Sequence, residues 1–243
     1  MLNKLRLKLF NRRIIQFYYF NIYHKFFCKK NPKGLYDNGY IEFNEKFSLN
    51  SVDWSKYLNY ENYKFVSDGR KINSIDLKKI YSALDSIGVI PIIKDYLGNK
   101  IYCYDNSIKT LGNQKCSDSS WQPHHDIKGR RIKIYIWLNE KNLNTHPLFY
   151  LRKTHKNIIN WKKYEDTRFP NIELNKFDKI YGGKGSIIIF DTNGIHSHFK
   201  TTTVPRSVIE LTFEAYGIFQ RLNKKNIDAE ISRLDLIELN QLL

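Results

Sequence analysis

The sequence has little cysteine and no long apolar run. Its three cysteines, Cys28, Cys103 and Cys116, are odd in number and form no CxxC pair. This excludes a disulfide framework and a thiolate zinc site, and it predicts reduced thiols in a cytoplasmic protein. No stretch reaches the roughly 18 apolar residues that a membrane-spanning helix needs. Gln16 and Asn21 interrupt the apolar N-terminal stretch and no small-residue cleavage site follows, which makes a secretory signal a poor fit.

Acidic residues are absent from the first 30 positions, which hold eight basic ones and thus half of the net charge of +16. From residue 221 to the end the charges cancel, so residues 31–220 carry only an ordinary basic excess. This distribution argues against a nucleic-acid-binding protein. Residues 1–30 predict a basic, aromatic helix. It either docks its aromatic side chains on the core or makes peripheral contact with an anionic membrane.

Helical patterns come first in the chain and strand patterns later. We expect one helix from Ser74, as its N-cap, to about Leu84 and another over Val89–Leu97. Strand patterns rich in Ile, Tyr and Phe occupy residues 40–43, 101–104, 131–138, 148–151, 186–190 and 207–215. A predicted helix over residues 155–164 interrupts them. The order predicts an α+β protein with a mainly β core, built as an antiparallel sheet or barrel.

The pattern divides the chain into three parts. They are a helical extension over residues 1–34, a domain over residues 35–220 and a C-terminal helix over residues 221–243 packed on that domain. The Gly-Gly-Lys-Gly-Ser segment at residues 182–186 lacks the Lys-Ser or Lys-Thr pair of a phosphate loop and is better interpreted as a tight turn before a strand.

One strand has two chemically different faces. Its isoleucines, at positions 132, 134 and 136, predict the packing face. Lys133, Tyr135 and Trp137 share the opposite face and are candidates for the lining of a pocket.

Histidine and aspartate residues indicate where the chemistry occurs. His124-His125-Asp126 precedes one predicted strand, and His196-Ser197-His198 follows another. Residues i and i+2 of a strand point the same way, so His124 and Asp126 can bind one metal ion while His125 points elsewhere. With His196 they match the two-histidine, one-carboxylate set that holds non-haem Fe(II). His198 is the alternative third ligand, although the spacing from the preceding strand favours His196.

Arg206 begins the next predicted strand, ten residues after His196. Its planar guanidinium is the side chain best suited to hold a carboxylate through two parallel hydrogen bonds. The four residues together predict a metal ion and a cosubstrate that carries a carboxylate.

These motifs resemble the phytanoyl-CoA dioxygenase family of Fe(II)- and 2-oxoglutarate-dependent oxygenases. The resemblance rests on His124-x-Asp126, the segment at residues 185–191, His196 and Arg206, with weaker similarity at residues 37–41 and 154–156. It covers roughly residues 36–217. It implies a double-stranded β-helix, a jelly-roll or cupin-like barrel with flanking helices.

The resemblance also implies an activity. In such an enzyme His124, Asp126 and His196 hold Fe(II), and Arg206 binds the far carboxylate of 2-oxoglutarate, with Ser197 or Thr203 as further cosubstrate contacts. The expected reaction uses dioxygen to hydroxylate an unactivated carbon of a small-molecule, lipid-type or saccharide-type substrate and releases succinate and CO₂. A carboxylate at Asp126 favours hydroxylation over halogenation. The alternative is a non-catalytic jelly-roll binding protein whose basic N-terminus contacts nucleic acid or an anionic membrane.

Departures from the family pattern bear on the substrate more than on the metal. His146-Pro147 replaces a usual Gly-Pro, and the residues before His155 differ from the usual Pro-Gly-Ser. His198 occupies a place often held by a small polar residue. The substrate is therefore left open by the sequence.

Overall fold

The computed structural model describes residues 34–43, 46–48, 50, 52–54, 70–98, 101–111, 122–126, 131–140, 147–156, 167–169, 171–198 and 206–215. Within them the chain forms three α-helices, α1 (Leu35–Asn38), α2 (Ser74–Ser86) and α3 (Val89–Leu97). Its strands are β1 (Tyr40–Phe43), β2 (Arg70–Lys71), β3 (Ile101–Leu111), β4 (His124–His125), β5 (Arg131–Trp137), β6 (Leu148–Tyr150), β7 (Thr167–Arg168), β8 (Asp178–Ile180), β9 (Ile187–Asp191), β10 (His196–Ser197) and β11 (Arg206–Ala215). The predicted helices at the two ends of the chain, over residues 1–30 and 223–243, lie outside the described residues.

The strands form two sheets, and every pairing among the described strands is antiparallel. One sheet has six strands in the order β1-β9-β5-β11-β3-β2, and the other has five in the order β7-β4-β10-β6-β8. The prediction of a mainly β, antiparallel core is confirmed. No described ladder joins the two sheets, so closure into a barrel is not observed within the described residues. The flanking helices are also few.

Strand β5 separates two layers of the core. The isoleucines at positions 132, 134 and 136 are fully buried in a cluster with α2 and α3, which places the helices on that face of the six-stranded sheet. Tyr135 and Trp137 point the other way and pack with residues of β6, β8 and β9, between the two sheets. The alternation of β5 thus predicts the layers, with isoleucine toward the helices and polar or aromatic side chains toward the second sheet.

The boundaries of helix α3 agree with the sequence pattern, whereas those of α2 differ at both ends. Helix α3 has the predicted bounds, whereas α2 ends at Ser86 rather than near Leu84. The N-cap of α2 is Asn73, whose side chain accepts a hydrogen bond from the backbone N–H of Asp76 at 2.9 Å. The prediction of Ser74 as the cap is therefore wrong by one residue, because asparagine caps a helix at least as well as serine.

The predicted helix over residues 155–164 is described only at its start. There the chain forms a short 3₁₀ turn over Thr154–Lys156, and residues 157–166 lie outside the described residues. Among the described residues no helix is long and apolar enough to cross a membrane.

A tight turn leads into β9, as the sequence predicts. The backbone N–H of Ser186 donates to the carbonyl of Gly183 at 2.8 Å, and Gly185 has a φ of 79°. A left-handed φ of this kind favours glycine, since it has no Cβ to clash with the backbone.

Gly182, at the start of this turn, lies against the indole of Trp137. A Cβ at Gly182 would be 2.0 Å from Cδ2 of Trp137, which is itself 2% exposed. We expect Gly182→Ala to lower the free energy of unfolding in urea by about 1–3 kcal/mol, as overpacking of a core does. Lys184→Ala, an exposed neighbour in the same turn, is the control. Equal stability of the two variants would contradict the close packing at Gly182.

Candidate metal centre

Two short strands of the five-stranded sheet bring two histidines together. His124 of β4 pairs directly opposite His196 of β10. Their rings are 4.5 Å apart between centroids, and both side chains are buried. The two residues are 72 positions apart in the sequence, so the ladder between β4 and β10 creates the histidine pair.

Asp126 completes the cluster from the residue that follows β4. Its backbone N–H donates to the carbonyl of Thr192 at 3.1 Å, which ties the segment to the loop before β10. Its Oδ1 lies 3.7 Å from Nε2 of His124 and 3.7 Å from Nε2 of His196. The three ligand atoms all lie within 4.8 Å of one another, close enough to hold one metal ion.

His125 does not join the cluster, as the alternation of a strand predicts. Its ring lies 5.7 Å from that of Phe169, and its Nδ1 donates to the carbonyl of Asp126 at 2.6 Å.

Backbone carbonyls fix the tautomers of the two histidines in the cluster. Nδ1 of His124 lies 2.8 Å from the carbonyl oxygen of Gln122, and Nδ1 of His196 lies 2.9 Å from that of Gly194. A carbonyl can only accept, so each Nδ1 carries the proton and each Nε2 presents a lone pair. This second contact of the imidazole orients the ring and leaves Nε2 available to bind a metal.

The charges in the cluster suit a dication. Burial, together with the neighbouring His124, lowers the pKa of His196 to about 3, so the ring is neutral at physiological pH. Burial also lowers the pKa of His124. Burial opposes ionisation of Asp126, but Lys133 and the two histidines outweigh it and hold the pKa of that carboxyl well below its usual range. The cluster therefore already presents two neutral imidazoles and one carboxylate, so these ligands need not release protons when a metal ion binds.

The other candidate histidine, His198, has different partners. Its Nδ1 lies 2.9 Å from Nη2 of Arg206, and a guanidinium can only donate. The ring proton is thus on Nε2, which lies 3.1 Å from the hydroxyl oxygen of Tyr135. Both nitrogens are engaged, so this geometry favours His196 over His198 as a metal ligand.

Arg206 is fully buried at the start of β11, next to His198. Its guanidinium carbon is 5.7 Å from the centroid of the Tyr135 ring, a distance at which a cation interacts favourably with an aromatic face. Burial lowers the pKa of Arg206 to about 10, which leaves the side chain charged at neutral pH. A buried cation next to a metal site can bind an anionic group there.

The sequence does not predict a row of largely buried charges that ends at Asp126. Lys133 of β5 lies 2.9 Å from Oδ2 of Asp126 and 3.7 Å from Oε1 of Glu210. Lys109 of β3 lies 2.8 Å from the same oxygen of Glu210. We call these four residues the charge row. The alternation of β5 indicates that Lys133 faces inward, but only the packing of the sheets shows which carboxylates it meets.

The remaining predicted residues have other positions. Ser197 is fully buried between His196 and His198, and alternation along the strand puts its side chain on the face opposite to theirs. Thr203 lies outside the described residues. His155 donates from Nε2 to the carbonyl of Tyr36 at 2.7 Å, a structural contact rather than a ligand position. The predicted cosubstrate contacts of Ser197 and Thr203 stay predictions.

Comparison with known proteins gives similarity in structure only. No protein-family model matches the sequence, and no curated protein matches it. EctD from S. alaskensis, solved with bound Fe, has a TM-score of 0.50 and 17% identity, with 76% of this chain and 75% of EctD aligned. SnoN, a non-haem, α-ketoglutarate-dependent epimerase from nogalamycin biosynthesis, has a TM-score of 0.51 and 12% identity over 77% and 82% of the two chains. HygX from Streptomyces hygroscopicus, solved with nickel and 2-oxoglutarate, has a TM-score of 0.52 and 11% identity over 74% and 84%.

At these identities the similarity shows a common fold. The two-sheet, mainly β architecture of this chain is the one found in three metal- or 2-oxoglutarate-binding proteins.

Proposed function

We propose that the chain is an Fe(II)- and 2-oxoglutarate-dependent dioxygenase. The observation that carries this proposal is the convergence of Nε2 of His124, Nε2 of His196 and Oδ1 of Asp126 within 4.8 Å. The donor set fits the group, because two neutral imidazoles and one carboxylate on one side of a metal suit non-haem Fe(II) and leave its other side open. The fold shared with EctD, SnoN and HygX supports the same conclusion.

Each residue of the site has a separate task. His124, His196 and Asp126 would hold the metal, which when bound supplies the dioxygen chemistry. Arg206 would bind the far carboxylate of 2-oxoglutarate, since it is a buried, charged donor beside the cluster. The overall reaction converts 2-oxoglutarate and dioxygen into succinate and CO₂ and hydroxylates a carbon of a small-molecule substrate.

Apolar side chains shield the cluster from water. The fully buried ring of Phe190 lies edge-on to the ring of His196, with 5.4 Å between centroids. Tyr135 packs edge-on to Phe190 at 5.0 Å. Such a wall lowers the local dielectric and protects a reactive centre from side reactions with solvent.

The proposal is tested by adding Fe(II) and 2-oxoglutarate to the protein without oxygen. We expect the visible charge-transfer band of the metal–2-oxoglutarate chelate in the wild type and no band in His124→Ala or in His196→Ala. His155→Gln changes a buried histidine outside the cluster and should keep the band. A wild-type protein without the band, or a band that survives in both His124→Ala and His196→Ala, would contradict the proposal. Admission of oxygen should then produce succinate, and a panel of metabolites that accelerate its formation identifies the substrate.

The alternative function, a non-catalytic binding protein with a basic N-terminus, gains no support from the described residues, because residues 1–33 lie outside them. The cytoplasmic location and the membrane contact of residues 1–30 likewise stay predictions.

A further inference from the structure

Lys133 is a buried cation to which the proposed function gives no task. Its side chain is 15% exposed and stands on the inner face of β5, opposite the five-stranded sheet that carries the metal cluster. Its Nζ lies 2.9 Å from Oδ2 of Asp126 and 3.7 Å from Oε1 of Glu210, so two carboxylates stabilise the ammonium form of the side chain. A charge held in such a place needs partners, and one of them is a metal-ligand carboxylate.

The two oxygens of Asp126 have different neighbours. Oδ1 is 3.7 Å from each histidine Nε2, whereas Oδ2 is 2.9 Å from Nζ of Lys133. The carboxylate therefore presents one oxygen to the metal position and the other to the ammonium group. A charge-assisted hydrogen bond of this length is among the stronger ones in proteins and holds the plane of the carboxylate.

The rest of the charge row holds Lys133 itself. Glu210, 3% exposed on β11, lies between Lys133 and Lys109 of β3. Burial opposes ionisation of Glu210, but Lys133 and Lys109 outweigh it and lower its pKa to about 2. The charges of the row alternate in sign from Lys109 on β3 to Asp126, and the four charges add up to zero. The charge row as a whole therefore neither attracts nor repels a further ion strongly.

We propose that Lys133 is a positioning residue that makes Asp126 bind the metal through one oxygen only. This rests on the proposed metal site. A metal with six positions that holds three protein ligands needs two more for a chelating 2-oxo acid and one for dioxygen. An aspartate that binds through both oxygens takes one of these positions. By holding Oδ2, Lys133 keeps that position open for the cosubstrate.

Carboxylate vibrations report this directly, without any need for turnover. The separation between the antisymmetric and symmetric stretches is larger for one-oxygen than for two-oxygen binding. Infrared difference spectra with and without Mn(II), on protein labelled with ¹³C at the aspartate carboxylates, isolate the coordinating group. We expect one-oxygen binding in the wild type, two-oxygen binding in Lys133→Met and a return to one-oxygen binding in Lys133→Arg. Lys184→Met, which removes an exposed lysine outside the charge row, should resemble the wild type.

Affinities provide the second readout. Lys133→Met should keep or increase the affinity for Mn(II), because a positive charge near the dication is lost. It should raise the half-saturating 2-oxoglutarate concentration about tenfold or more, the scale expected when a contact to a metal ligand is removed. Loss of both affinities in parallel would point to general damage and overturn the proposal. An unchanged stretch separation in Lys133→Met, or no rescue by Lys133→Arg, would also overturn it.

This proposal and the proposed function fail in different ways. If Mn(II) binding changes from one oxygen of Asp126 in the wild type to two in Lys133→Met, but the wild type gives no band with Fe(II) and 2-oxoglutarate, the oxygenase function is wrong while the positioning of Asp126 by Lys133 stands. If the band appears and the stretch separation is the same in the wild type and in Lys133→Met, the oxygenase function stands and the role of Lys133 is wrong.

Discussion

His196→Ala removes divalent-metal binding, and His198→Ala keeps it: this is the expected outcome for two histidines that lie two residues apart. Nε2 of His196 points to Oδ1 of Asp126 at 3.7 Å, while both nitrogens of His198 are engaged by Arg206 and Tyr135. Loss of one of three protein ligands leaves too few to retain the ion, so we expect Mn(II) binding by His196→Ala to fall below detection. The free Mn(II) signal in electron paramagnetic resonance measures it.

His198→Asn accompanies His198→Ala in case the alanine variant folds poorly, since an amide oxygen can still accept from Arg206. Circular dichroism of each variant shows whether the fold persists. Metal binding retained in His196→Ala and lost in both His198 variants would make His198 the third ligand. The sequence pattern alone leaves that alternative open.

Arg206→Met is expected to weaken 2-oxoglutarate binding about 100-fold, with little change in Mn(II) affinity. A hydrogen bond between charged groups contributes about 1.5–3 kcal/mol, and the upper part of that range corresponds to about two powers of ten in affinity. Arg206→Lys should recover only part of this loss, because an ammonium group cannot form the paired hydrogen bonds of a guanidinium. Titration of the anaerobic Fe(II) protein with 2-oxoglutarate, followed by the visible band, measures the effect.

Mn(II) affinity, measured on the same Arg206 variants, is the internal control for folding. Arg206 also donates to His198 and lies near the ring of Tyr135, so its loss will lower stability as well. A variant that binds Mn(II) normally and 2-oxoglutarate as tightly as the wild type would remove Arg206 from the cosubstrate site.

Local pattern predicts the central strands well. Strand β5 alternates between isoleucine and larger polar or aromatic residues, and this alternation alone predicts which face meets the helices. Helix α3 has its predicted bounds because Gly88 and Gly98 flank an apolar segment. The short strands were not predicted from the sequence. β4 and β10 contain two residues each, too few for any periodicity to appear, and they exist because tertiary packing aligns them.

In the candidate site, too, some features follow from local sequence pattern and others only from tertiary packing. The spacing of His124 and Asp126 predicts their convergence, because it depends on the geometry of a single strand. The contacts of Lys133, Arg206 and His198 depend on how one sheet lies on the other, and no local rule contains that information. In the sequence, the spacing from the preceding strand favours His196 over His198, whereas in the structure the hydrogen-bond partners of the two rings favour it.

The position of the cluster in two-residue strands has a thermodynamic consequence. β4 and β10 have few ladder hydrogen bonds of their own, and Asp126 is tied across to Lys133 of the other sheet. An ion bound by His124, Asp126 and His196 would therefore act as a removable cross-link between two of the shortest described strands. By mass action, metal at 100 times its dissociation constant adds about 2.7 kcal/mol to the stability of a folded state. The supply of metal would then set how long the protein survives proteolysis, independently of whether it is turning over substrate.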